Sequence, residues 1–275
     1  MPYRLFRVPG GLDNLLVGCT VRASASDRQE EEDALSHGVK KPGPVRNRIL
    51  AGLPRKEYAR ILPGLARVTL KAGQVLHEPG GSTQAAYFLD SATVSILSLA
   101  RDGTSIEVSL VGDEGLIGLP IVLRSQGLPY RIIVQGPGTA WRMKADVLRK
   151  EFERCGPLHQ SVLQYVHTLI VYLSQSSACN RFHTIRQRIC RWLLISQDRA
   201  RSGDIKSTQE FLSQILGVNR GSASQAASAL QRAGLIRYRR GQIAILDRPG
   251  LEAAACECYR LVKGEFDRFF REPSA

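Results

Sequence analysis

The segment that most restricts the fold is Ser207 to Leu235, STQEFLSQILGVNRGSASQAASALQRAGL. Ser207, with Glu210 three residues on, fits a capping box at a helix start. Phe211, Leu212, Ile215 and Leu216 then form one apolar stripe at helical spacing. Ser213 is small enough to let a second helix approach. Gly217 can take the left-handed conformation that ends a helix, and Asn219 suits the N-cap of the next. In that second helix Ala223, Ala226, Ala227 and Leu230 share a face, with Gly221, Ser224, Gln225, Ser228 and Arg232 opposite. Gly234 closes it. The next stretch, LIRYRRGQIAIL, predicts two strands around Arg240-Gly241.

Two helices joined by a glycine turn and followed by a hairpin make a winged helix-turn-helix, which lays its second helix in the DNA major groove. The outer face of that helix is small, polar and uncharged except at its ends, so it can enter a groove without repelling phosphate. Arg220 can pair bidentately with guanine, and Gln225 carries the donor and acceptor that adenine requires. Gly221 and Ser224 lie on the same entering face. Thr208, Gln209 and Ser222 are placed for phosphate, which sets position without reading sequence. Arg237, Arg239 and Arg240 would add phosphate contacts from the wing. The competing interpretation is a helical hairpin with a solvated polar face.

Charge supports the first interpretation. The 275 residues carry a formal net charge of +13. From Arg181 onward there are 17 Lys and Arg against 9 Asp and Glu, a surplus of +8. That fits a polyanionic partner, although basicity alone concerns association and not fold. No apolar run approaches the length that spans a bilayer, so a cytoplasmic location is expected.

Upstream, residues 45–156 read as a β-roll. Short β-rich runs (ARVTL, QVLHE, AYFL, TVSILSL, SIEVSLV, YRIIVQ, TAWRM) are separated by turns, the pattern of an antiparallel sandwich or barrel. A short helical region at Arg46 to Leu62 precedes them, and a helix at Ala145 to Glu153 follows. Residues 1–44 lack periodicity and are expected to be a disordered extension. A long helix over residues 157–179 carries the seam Val162, Tyr165, Leu169, Tyr172 and Ser176, suited to a two-helix dimer. The same stripe could equally pack on the chain's own β domain. Residues 180–275 form the winged domain, preceded by a helix at Arg186 to Ile195. One amphipathic helix from Gly250 to Phe270 ends it. The fold class is therefore α+β: an antiparallel β-roll, a long dimerisation helix and a C-terminal winged helix-turn-helix.

Catalysis has little support. The histidines (His37, His77, His159, His167, His183) are dispersed, with only His77 in the β region, and no nucleophile set, phosphate loop or paired carboxylates stand out. A metal-dependent jelly-roll enzyme would need clustered ligands there. The cysteines (Cys19, Cys155, Cys179, Cys190, Cys256, Cys258) are scattered. Cys256 and Cys258 lie two apart in an apparent helix and would not face each other, so they read as buried thiols. Neither metal nor cofactor is expected.

The pieces KAGQVLHEPGG, AYFLDSATVSIL, GDEGLIGLP, RICRWLL and the winged helix-turn-helix, in this order, resemble the Crp/Fnr superfamily of bacterial regulators over about residues 46–248. The resemblance implies a homodimer on a palindromic DNA site, with RNA polymerase as a further partner. Cyclic-nucleotide-binding members have a Gly-Glu-Leu core for the ribose and an Arg-Ser or Arg-Ala pair for the phosphate. Here Gly118 is followed by Leu119, and Arg131 by Ile132. The effector pocket expected at Gly115, Gly118, Leu119, Arg131 and Ile132 therefore lacks the ribose clamp, and the effector is expected not to be a cyclic nucleotide. Cys19 stands alone, without the clustered cysteines of iron–sulfur members, and His77 is the lone candidate haem ligand. A cyclic-nucleotide-responsive regulator and a ligand-independent one remain the alternatives.

Overall fold

Apolar alternation between Leu65 and Lys144 produces eight strands: β1 (Leu65–Leu70), β2 (Val75–His77), β3 (Ala85–Leu89), β4 (Thr93–Leu99), β5 (Ser105–Val111), β6 (Leu116–Ile117), β7 (Arg131–Gly136) and β8 (Gly138–Lys144). They form two four-stranded antiparallel sheets, ordered β1-β8-β3-β6 and β2-β7-β4-β5. Leu70, Leu89, Val94, Val111, Ile132, Val134 and Ala140 form the core between them. The expected β-roll is therefore present, and the Gly112 to Gly118 turn also contains the short strand β6. The computed structural model describes residues 45–101, 104–125, 127–200 and 204–270, so the expectation for residues 1–44 lies outside the described residues.

Pro54 divides the leading helical region into α1 (Arg48–Ala51) and α2 (Arg55–Ile61). Asn47 fastens α1 to the roll. Its Nδ2 donates to the carbonyls of Leu89 at 2.9 Å and Gly115 at 2.8 Å, and its Oδ1 accepts from Leu50 N at 3.1 Å. Helix α3 (Ala145–Glu153) leads to α4 (Pro157–Phe182), a 26-residue helix with Pro157 in its first turn, where a missing N–H costs nothing. Its inner face joins Phe88, Met143 and Leu148 in a second apolar core.

The C-terminal part comprises α5 (Ile185–Ala200), β9 (Asp204–Lys206), α6 (Gln209–Leu216), α7 (Arg220–Arg232), β10 (Ile236–Arg239), β11 (Gln242–Ile245), α8 (Arg248–Ala254) and α9 (Cys258–Phe269). Strands β10-β11-β9 form the wing sheet. The single terminal helix expected from Gly250 to Phe270 is two helices. Ala255 leaves α8 in an extended conformation (φ −77°, ψ 161°), and α9 restarts at Cys258. Among the described residues, no helix is long and apolar enough to cross a membrane.

Candidate nucleic-acid interface and effector cavity

The helix-turn-helix forms from the local signals in its sequence, with one shift. Thr208 caps α6, its Oγ1 accepting from Phe211 N at 3.0 Å. The expected Ser207–Glu210 capping box is absent because Ser207 is buried and joined to the wing. Its N–H donates to the Gly241 carbonyl at 2.9 Å, and its carbonyl accepts from the Tyr238 hydroxyl at 2.9 Å. Gly217 ends α6 at φ 60°, a conformation without penalty only for glycine. Asn219 caps α7, accepting from Ser222 N at 2.8 Å.

Ala223, Ala227 and Leu230 bury one face of α7. Arg220, Gly221 and Gln225 are exposed on it, and Ser222 and Ser224 are half-buried. The wing turn is Arg240-Gly241, with φ 50° and 72°, the left-handed pair that a two-residue hairpin with right-handed strand twist requires. Alternation along β10 turns Ile236 into the core and leaves Arg237 and Arg239 exposed. Tyr238 holds the wing against the helices: its N–H donates to Gln231 Oε1 at 2.7 Å.

A cleft of about 530 Å³ between α6, α7 and the wing is lined by Thr208, Gln209, Arg220 and Arg240 among others. Four of the ten residues expected to touch DNA thus meet in one concavity, with Arg237 and Arg239 outside it on the wing. Among the described residues, no carboxylate forms an ion pair with Arg220, Arg237, Arg239 or Arg240. Their charge is therefore available to an external anion, beside the electropositive start of α7.

A second cavity, of about 560 Å³, lies between the β-roll and α4. Of the five residues expected there, Gly118, Leu119 and Ile132 line it. Gly118 has φ 118°, and a Cβ on it would lie 2.9 Å from Ala86 Cα, so the cassette turn requires glycine. Gly115 is instead packed under Tyr165, whose hydroxyl lies 2.4 Å from where a Cβ would be. Arg131 does not serve the cavity, because its guanidinium pairs with Glu78 at 2.9 Å. Among the described residues, no Arg or Lys lines the cavity, and its ionisable side chains are Glu107, Tyr130 and Tyr165.

Glu107 was not singled out from the sequence. Its Oε2 accepts from Ser95 Oγ at 2.6 Å and its Oε1 from Trp192 Nε1 at 3.0 Å. Burial pushes its carboxyl above the usual range, opposed by those two hydrogen bonds and by Arg199 and Arg191. A second link between the two parts of the chain is the buried pair Arg199 Nε–Glu114 Oε1 at 2.7 Å. A third is contact at Gly217, where a Cβ would fall 2.7 Å from Ile106 Cδ1. Ile106 also lines the cavity.

The expected dimer seam needs correction. Val162, Tyr165 and Tyr172 are buried in the chain's own core, Leu169 lines the cavity, and Ser176 both lines it and accepts from Arg191 at 2.5 Å. The stripe covers the roll and α9. The outward side of α4 carries Leu163, Ile170 and Leu173, which are 46%, 57% and 38% exposed.

Residues 67–155 match the cyclic nucleotide-binding domain family, and residues 187–254 match the Crp-like helix-turn-helix domain family. No curated protein matches the chain. Similar solved structures include a Crp/Fnr-family regulator from Eubacterium rectale, at 19% identity and TM-score 0.60, covering 74% of this chain and 94% of that one. The c-di-GMP-responsive regulator CLP of Xanthomonas campestris is similar at 14% identity and TM-score 0.60, over 70% and 100% of the two chains. FixK2 of Bradyrhizobium japonicum is similar at 14% identity and TM-score 0.59, over 70% and 98%. A β-roll matching the first family and a winged domain matching the second, in this order, give the chain the domain composition and fold of the Crp/Fnr-type regulators.

Proposed function

We propose that the protein binds a two-fold-symmetric operator as a homodimer, with Arg220 reading base edges and the wing arginines gripping phosphate. The observation that carries this reading is the unpaired, exposed Arg220 at the start of α7, facing the same cleft as Thr208, Gln209 and Arg240. The dimer would form through the outward stripe of α4 at Leu163, Val166 and Ile170, which lies off the cavity and whose steps of three and four suit a two-helix seam. Two recognition helices would then enter major grooves about one turn apart. Selection of bound duplexes from a random pool by the purified protein tests this. Recovery of a palindromic motif supports it, and recovery of no preferred sequence overturns it.

The cavity beside α4 supports an apolar or weakly polar effector. Its wall is mostly aliphatic, with one carboxyl, two phenols and the side chains of Ser109, Ser125, Ser176, Ser177 and Asn180 as polar groups. The response of the Xanthomonas protein to c-di-GMP is not carried over, because a doubly anionic ligand would meet Glu107 and, among the described residues, no cation in the lining.

A further inference from the structure

We propose that Cys179, His183, Cys256 and Cys258 form a Cys3His site for a thiophilic divalent cation of the zinc class, clasping the end of α4 to the α8–α9 junction. Their ligand atoms all lie within 4.8 Å of one another. Cys179 Sγ is 3.6 Å from Cys256 Sγ, and His183 Nδ1 is 3.5 Å from Cys258 Sγ. A tetrahedral zinc ion with Zn–S near 2.3 Å and Zn–N near 2.0–2.1 Å sets ligand–ligand edges of roughly 3.5–3.8 Å. Those two edges fall in that range, and no other edge exceeds 4.8 Å.

Local structure accounts for this convergence. Cys179 and His183 are four residues apart, so the last turn of α4 presents both on one side, and His183 N–H donates to the Cys179 carbonyl at 3.1 Å. Cys256 and Cys258 could not converge within a continuous helix. The break at Ala255 puts Cys256 before α9 and Cys258 at its first position, which brings both thiols to the same point.

The surroundings are those of a metal site. His183 Nε2 lies 3.1 Å from Glu257 Oε1, which leaves Nδ1 as the ligand atom and gives the imidazole the carboxylate partner that metal-bound histidines carry. Gln175 Nε2 donates to Cys258 Sγ at 3.0 Å. Cys179, Cys256 and Cys258 are buried, so the site would be closed, as structural zinc sites are. A divalent cation with three thiolates and a neutral imidazole carries one net negative charge. Arg188 and Arg191 lie close enough to the thiols to interact with that charge, and the Arg191 Nε is buried without a hydrogen-bond acceptor among the described residues. On binding, the thiols give up their protons to solvent and no electrons are transferred.

The clasp spans two parts of the chain that matter for regulation. Helix α4 lines the effector cavity just upstream of Cys179, and α9 packs on α4 with the Tyr172 and Phe266 rings 6.4 Å apart. A bound cation would fix the end of the winged domain to the helix that lines the cavity. The site rests on the thiol and imidazole geometry alone and does not depend on the DNA-binding reading.

The test is metal analysis of the full-length protein purified anaerobically, followed by cobalt substitution of the zinc-depleted protein. About one zinc per chain, and a cobalt form with the thiolate charge-transfer and intense d–d bands of tetrahedral coordination, are expected. The Cys256→Ser/Cys258→Ser double variant should lose both signals. His183→Ala, at the edge of the site, should remain folded by circular dichroism and shift the cobalt bands while weakening zinc binding at least tenfold in chelator competition. Absence of thiolate bands in the wild type, unchanged bands and affinity in His183→Ala, or full metal content in the double variant would each overturn the proposal. So would a Cys179–Cys256 disulfide in the anaerobic protein.

Discussion

The Trp192 indole donates to Glu107 Oε1 at 3.0 Å and so joins helix α5 of the winged domain to strand β5 of the β-roll, at a carboxyl that also lines the cavity. Burial raises the pKa of that carboxyl from 4.5. A carboxyl with a raised folded-state pKa binds its proton more tightly folded than unfolded. Its contribution to stability is then full below the unfolded value and fades as pH climbs through the folded value. Wild-type melting temperature should therefore fall more steeply than that of Glu107→Gln as pH rises from 4.5. Differential scanning calorimetry across that range checks this, and parallel curves would show that Glu107 titrates as it does unfolded.

Arg220→Ala should lower affinity for the selected operator by about 1–3 kcal/mol while leaving binding to random duplex nearly unchanged. Because Arg220 is exposed and Asn219 supplies the cap, α7 itself should persist. Titration of both duplexes by fluorescence anisotropy measures the difference. Equal losses on both would make Arg220 a phosphate contact.

Replacing Arg237 and Arg239 together with alanine should weaken binding to every sequence alike. It should also reduce the slope of log affinity against log salt by about 3.6 for the dimer, since four arginines are removed and each phosphate contact contributes about 0.9. An unaltered slope would leave the wing a solvated surface.

Ile170→Glu places a charge on the outward side of α4, where the chain itself does not cover it. The expected outcome is a folded monomer by light scattering, with operator affinity lost along with the dimer. A dimer that persists would put the interface on another surface.

Calorimetric titration with cyclic AMP and cyclic GMP should give no saturable heat, because no Arg or Lys among the described residues lines the cavity. Saturable binding at the cavity would require Arg131 to leave Glu78 and turn inward, which Glu78→Ala would then facilitate.

The parts of this fold legible in the sequence were those set by neighbours along the chain. Asn219 capping α7, Gly217 ending α6 and the Arg240-Gly241 turn each depend on a few adjacent residues, and the strands follow from alternation. Ser207 deceived because its pairing with the wing is tertiary and displaced the cap to Thr208. On α4 the stripe was correctly identified as apolar, but a helix with apolar residues on two sides does not reveal which side its own chain covers. Cys179 and Cys256 are 77 residues apart, so their approach was visible only once the terminal helix was seen to break at Ala255.

Ile106 faces the cavity with part of its side chain and the glycine turn between α6 and α7 with its terminal methyl. One side chain therefore touches both the cavity and the turn that precedes α7. An occupant that displaced this side chain by the width of a methyl group would press on the turn directly. Shortening Ile106 to alanine would separate the two surfaces while leaving each nearly intact.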